Sequence, residues 1–161
     1  MLFIIESIIL CIIFTLIVVP PTLKDPLKQV FNYPPVIQDR VKSLPQYKDK
    51  IPTQNKKISL KILGSIIFII VFTMVVYFSG ARTFSHAFIY AFGLFMVGNV
   101  FDVLVLDIIL FCHDKRFRIP GTEDMVKEYE SPWFHIMSAA KGAAAGGSIS
   151  VITACIIVLI K

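Results

Sequence analysis

AFIYAFGLFMVGNVFDVLVLDIILFC, residues 87–112, decides the fold. It holds no Pro, Lys or Arg, and its strongly polar side chains are Asn99, Asp102 and Asp107. At about 1.5 Å rise per residue a helix of this length crosses a hydrocarbon core of about 30 Å. Three more apolar runs flank it. Residues 2–19 end at Pro20-Pro21, and residues 62–79 end at Gly80. Residues 133–160 start behind Ser131-Pro132, an N-cap residue followed by Pro at the first helical position. The first run lacks a basic n-region and a small-residue cleavage site, so it reads as a retained helix and not as a signal peptide. The predicted fold class is an all-α integral membrane protein. It is a four-transmembrane-helix bundle, one polytopic domain over 1–161, with short amphipathic helices in cytoplasmic loops 20–61 and 113–132.

Composition agrees. Hydrophobic residues make up 56% and charged residues 17% of the chain, where a soluble domain carries about 25% charge. The net charge of +5 lies mostly in two loops and forms no basic stripe with stacking aromatics, so no nucleic acid is expected. Membrane lipid is the expected partner. Cys11, Cys112 and Cys155 are far apart and sit in or beside apolar runs, which is neither a disulfide framework nor a zinc knuckle. Cys112 lies near a span boundary, where palmitoylation can occur; a small apolar packing role is the plainer reading.

Loop charge orients the spans. The first loop holds Lys24, Lys28, Arg40, Lys42, Lys48, Lys50, Lys56, Lys57 and Lys61. The second holds only Arg82, and the third holds Lys115, Arg116, Arg118 and Lys127. The excess of Lys and Arg marks the cytoplasmic side, so loops 20–61 and 113–132 are expected inside and both termini outside. Tyr77, Phe78 and Phe84 suit the outer aromatic belt and Trp133 the inner one. In the first loop Ile37, Val41 and Leu44 recur at helical spacing between Pro35 and Pro45, predicting a short amphipathic helix on the membrane surface or on the bundle. In the third, Thr122 is placed to cap a helix with Glu123 and Asp124 in its first turn and Met125, Val126 and Tyr129 on its apolar face.

Charged groups inside a span are costly and face the bundle interior. Asp102 lies about 15 Å from the inner end of its run and Asp107 about 7.5 Å. Asn99 and the two acids fit within roughly 140° of an α-helical circumference. Continued to Asp114, the same helix would stack Asp107 with Asp114 and align Asp102 with His113. On the last run His135, Ser138 and Lys141 drift along one side. Lys141 matches Asp107 in depth and is the expected counter-charge for Asp107 or Asp102; otherwise it snorkels to the interface. Gly142 with Gly146, and Ala139, Ala143 and Gly147, form small-residue rows that let backbones approach. Gly93 and Gly98 are the expected receivers, and the same surface allows a homo-oligomer or another membrane-protein partner.

These readings converge on a polar site near the cytoplasmic face. Asp102, Asp107, His113 and His135 are its candidate proton-transfer residues, and Arg116, Arg118, Lys141 and Asn99 its candidate substrate contacts. Arg116 and Arg118 suit a phosphate or carboxylate. No spacing matches a zinc signature, so no metal is assigned, and no cofactor follows from the residues. No P-loop, Gly-rich dinucleotide turn or nucleophile elbow is present. The layout resembles the small glutathione- and eicosanoid-handling membrane enzymes. Those carry a charged motif on their second helix, where residues 62–79 here carry no charge, so no residue role transfers. Three function classes fit: an intramembrane enzyme on a lipid or lipid-linked anionic substrate, a non-catalytic accessory subunit, or a small ion- or proton-coupled transporter or channel subunit.

Overall fold

Long runs of Ile, Leu, Val and Phe without turn signals satisfy their backbone groups internally as helices. The computed structural model describes residues 1–48, 50–51 and 54–160 and contains no strand among them. Lys161 lies outside the described residues, as do the side chains of Lys56, Lys57 and Lys61 on which part of the loop-charge reading rests. In chain order the elements are α1 (Leu2–Lys24), a 3₁₀ turn (Pro26–Asn32), α2 (Pro35–Ser43), a second 3₁₀ turn (Pro45–Tyr47) and α3 (Gln54–Phe78). Then follow α4 (Phe84–Phe101), a π-helical segment (Asp102–Phe111), a third 3₁₀ turn (Lys115–Phe117), α5 (Val126–Tyr129) and α6 (Trp133–Leu159).

Among the described residues three helices are long and apolar enough to cross a membrane: Leu2–Lys24, Phe84–Phe111, and Val126–Leu159 counted through α5. The apolar part of α3, Ile62–Phe78, is shorter and stands at the lower limit of about 17 residues for a span.

Several boundaries differ from the sequence reading. α1 does not stop at residue 19 but runs through Pro20 and Pro21 to Lys24. Both prolines lack the N–H that would bond the carbonyls of Leu16 and Ile17, yet their fixed φ is helical. Thr22 reinforces the next turn by donating its hydroxyl to the Val18 carbonyl at 2.6 Å. α3 starts at Gln54, ahead of its apolar part, and α4 starts at Phe84 behind an N-cap by Thr83. α6 is capped by Pro132, with no side-chain bond from Ser131.

α4 is central. α6 packs along one side of it and α1 along another, while α3 leans on α4 and α6. Gly142 and Gly146 do face α4, against Asn99 and Phe95. Gly93 and Gly98 do not receive them; they face Phe3 and Leu10 of α1, because α4 turns that side to α1. Near the chain termini the bundle closes on a hydrophobic core including Phe72, Val76, Ala91, Leu94, Ala154 and Ile157. There Glu6 accepts hydrogen bonds from Ser79 at 2.6 Å and Tyr90 at 2.7 Å, tying α1 to α3 and α4. Toward the loops α3 parts from the bundle, and residues 62–67 are exposed.

The first and third loops fold together at that end. α2 docks through fully buried Ile37 and Val41 in a cluster with Val30, Tyr33, Ile119 and Tyr129. Tyr33 donates to the Phe117 carbonyl at 2.6 Å and Tyr47 to the Pro120 carbonyl at 2.8 Å. Burial pushes the Tyr33 hydroxyl pKa up, and neighbouring Tyr129 adds to the shift. Thr122 caps no helix. Gly121 turns the chain at φ +87° and folds Thr122 inward, where its hydroxyl donates to the Ile119 carbonyl at 2.7 Å and meets the Tyr129 hydroxyl at 2.8 Å. The Thr122 proton is thereby used, so Tyr129 donates to Thr122 and accepts from the Ile119 amide at 3.0 Å. The predicted helix from Thr122 is reduced to the one turn of α5.

Candidate functional site

Residues 102–111 carry the site because of their helix type. In an α-helix, residues five apart diverge by roughly 140°. In a π-helix, bonded from i to i+5, they return to nearly the same face. The Cys112 amide bonds the Asp107 carbonyl in this register at 2.9 Å. Asp102 and Asp107 therefore line one cavity. Extended π-helix is rare and concentrates at functional sites.

That cavity has a volume of 390 Å³. α1 contributes Phe14, Val18 and Thr22. The first loop contributes Gln29, Phe31, Asn32, Tyr33 and Pro34, and Tyr129 comes from α5. The π-helix supplies Asp102, Asp107 and Phe111, and α6 supplies Phe134, His135 and Ser138. A second, mainly apolar cavity of 170 Å³ adjoins it and shares Phe14 and Asp102. Leu10, Phe68, Phe95, Gly98 and Asn99 complete its wall.

The central contact is between His135 Nδ1 and Asp107 Oδ2, 3.0 Å apart, with the side chains 9% and 18% exposed. His135, and not Lys141, is the partner of Asp107. The two residues are six apart on α6, about 240° around the helix, so only one of them can face the π-helix. Lys141 is exposed and has no carboxylate within ion-pair distance among the described residues. A carboxylate on Nδ1 fixes the imidazole orientation and leaves Nε2 as the proton-accepting ring atom. Cys112 is 1% exposed, which fits the packing role and not acylation. Asp102 receives no hydrogen bond from a described residue.

The remaining predicted residues go elsewhere. Asn99 faces the apolar cavity and donates to the Ala139 carbonyl at 3.1 Å, fastening α4 to α6. The helix breaks before Asp114, so the predicted stripes from Asp107 to Asp114 and from Asp102 to His113 do not form. Exposed His113 turns its Nδ1 to the Ile108 carbonyl at 2.7 Å. Asp114 caps the 3₁₀ turn and holds Arg116 through Nε and Nη2 contacts of 2.9 and 2.6 Å. The Arg116 hydrogen bonds hold the Asp114 carboxyl below its usual range. The Gly121 amide does the same for Glu123. The Arg118 side chain is 7% exposed, 3.6 Å from Glu130 and above the Tyr129 ring. Its Nε is buried without a hydrogen-bond partner among the described residues. Neither arginine lines the cavity.

Of the predicted site, then, Asp102, Asp107 and His135 come together, Asn99 adjoins them, and His113, Arg116, Arg118 and Lys141 stand apart. Tyr33, Tyr129, Gln29 and Asn32 are wall residues that the sequence reading missed as site residues, because the return of the first and third loops over the helix ends carries no periodic signal. Among the described residues no three His, Cys, Asp or Glu side chains are grouped to hold a metal ion. No protein-family model matches the chain, and no curated protein or solved structure matches it either.

Proposed function

We propose that the chain is an integral membrane protein of four crossings that binds and transforms a lipid-like amphiphile at its loop-side cavity. Loops 20–61 and 113–132 are cytoplasmic in this reading and both termini are outside. Support for this orientation comes from the loop charges and from the packing of those two loops at one end of the bundle. Ile62–Phe78 serves as the fourth crossing, at the short end of the permitted range.

The observation that carries the functional reading is the Asp107–His135 pair on the wall of a 390 Å³ cavity. That volume falls within the usual range of small-molecule sites, about 300–1,000 Å³. His135 accepts and returns a proton, Asp107 orients it, and the adjoining apolar cavity holds aliphatic chain. A transport route fits less well. The polar cavity gives way to the hydrophobic core, beside which Ser150 donates its hydroxyl to the Gly146 carbonyl of its own helix.

The test compares host membranes containing the native chain, His135→Gln or Asp107→Asn. Lipid extracts are followed by mass spectrometry and folding by circular dichroism. The native chain is expected to alter the amount of at least one lipid-like species, and both folded variants to lose that effect. Full turnover by both variants would remove the pair from the chemistry.

A further inference from the structure

The chemistry of the cavity wall bears on the headgroup of the occupant, and this inference rests on the amphiphile reading above. An anionic head would need cations. Among the described residues no Lys or Arg lines either cavity, and Arg116 is engaged by Asp114 and Arg118 lies beside Glu130. The wall instead presents two carboxylates, and its one ionisable base, His135, is already paired with one of them. Asp102 faces both cavities and receives no hydrogen bond from a described residue. A second anion placed here would meet like charge.

The rest of the wall is aromatic. Phe31, Tyr33, Phe111, Tyr129 and Phe134 surround the polar cavity, and Phe14 stands where it meets the apolar one. Tyr33 and Tyr129 meet edge to face with ring centroids 5.7 Å apart. Aromatic walls with a nearby carboxylate are the chemistry that holds ammonium groups, the quaternary ones included, through cation–π attraction and charge pairing. Hydrophobic continuity past Phe14, toward Leu10, Phe68 and Phe95, gives an attached chain a place to lie.

We propose that the site takes a cationic amphiphile. Its ammonium head sits among the aromatic side chains of the larger cavity with Asp102 as counter-ion, and one aliphatic chain lies in the smaller cavity. Asp102 is thereby the head-selecting residue, and Asp107 with His135 remains the proton-handling pair. Unlike the expected binding of an anionic head by Arg116 and Arg118, this assignment uses only side chains that reach the cavity.

The experiment uses the full chain in maltoside micelles and probes sharing one tail: dodecyltrimethylammonium and dodecyl phosphate, each labelled and measured by equilibrium dialysis. The ammonium probe is expected to bind about tenfold or more tighter than the phosphate probe. Asp102→Asn should weaken the ammonium probe by about tenfold while leaving the phosphate probe no weaker. Circular dichroism checks that the variant is folded. If it is not, competition on the native chain decides instead: free tetramethylammonium should displace the bound ammonium probe and inorganic phosphate should not. Equal saturable binding of both probes, unaffected by Asp102→Asn, overturns the head assignment and leaves the amphiphile reading standing, as does tighter binding of the phosphate probe. Absence of saturable binding by either probe overturns both.

Discussion

Replacing Gly146 by Ala tests the tightest contact that a Cβ would make at any described glycine. The added Cβ would stand 2.2 Å from Cδ1 and 2.4 Å from Cε1 of Phe95. Carbon atoms pack at about 3.5–4.0 Å, so the ring must retreat by more than about 1 Å. It has little room to do so, because Phe68 packs edge-on against it at 6.2 Å. Overpacking of this kind costs about 1–3 kcal/mol, while the better helix propensity of Ala returns about 1 kcal/mol at most. A net loss of about 0–2 kcal/mol follows. Gly147, the next residue, is the internal control. A Cβ there comes no nearer than 4.0 Å, to Phe92 Cε2, so Gly147→Ala should be neutral or stabilising by up to about 1 kcal/mol. Both variants remove a helical glycine, so the propensity contribution cancels in their difference and the Phe95 clash remains. Reversible denaturation of the full chain in mixed micelles measures that difference. Phe95→Leu in the Gly146→Ala background should recover part of the loss. Equal stability of the two alanine variants would refute the close approach of α4 and α6 at this point.

The buried pair makes a second prediction. Asp107→Ala and His135→Ala should each destabilise the protein, by somewhat less than the about 3–5 kcal/mol of a fully buried pair, since Asp107 keeps 18% exposure. The double variant should fall short of the sum by about 0.5–3 kcal/mol in a double-mutant cycle; strict additivity would mean that the two side chains do not interact. In the joined loops, Tyr33→Phe should cost about 1–3 kcal/mol through the unpaired Phe117 carbonyl. The Tyr33 pKa is raised on folding, so its neutral form is the one favoured by the native state. That contribution is complete below the ordinary tyrosine pKa of about 10 and declines as pH rises through it toward the folded value. Alkaline melts of the native chain should therefore lose stability more steeply than those of Tyr33→Phe, and parallel curves would contradict the burial argument. For orientation, a cysteine placed at Lys48 should resist impermeant reagents on intact cells and react after lysis; labelling on intact cells would reverse the assigned sides.

Hydropathy alone located the helices, because a long apolar run without turn residues has no other way to pair its backbone. It placed α6 nearly to the residue and marked Gly142 and Gly146 as a close-packing face. The short helix that docks through Ile37 and Val41 was also legible, from spacing. The failures have separate causes. A periodicity argument assumes a constant angle per residue, and the α-helical value was carried through residues 102–111. The structure is π-helical there, which stacks Asp102 with Asp107 and ends the helix before Asp114. Depth matching paired Lys141 with Asp107, but azimuth gives that place to His135, and only the packing of α6 on α4 fixes azimuth. The arginines of the third loop were read as free cations because sequence does not reveal that Asp114 and Glu130 fold onto them. Apolar length and loop charge are local properties and belong to the sequence. The composition of the cavity, with acids and aromatics gathered from α1, the first loop, the π-helix, α5 and α6, depends on contacts between residues distant along the chain, so only the tertiary structure decided it.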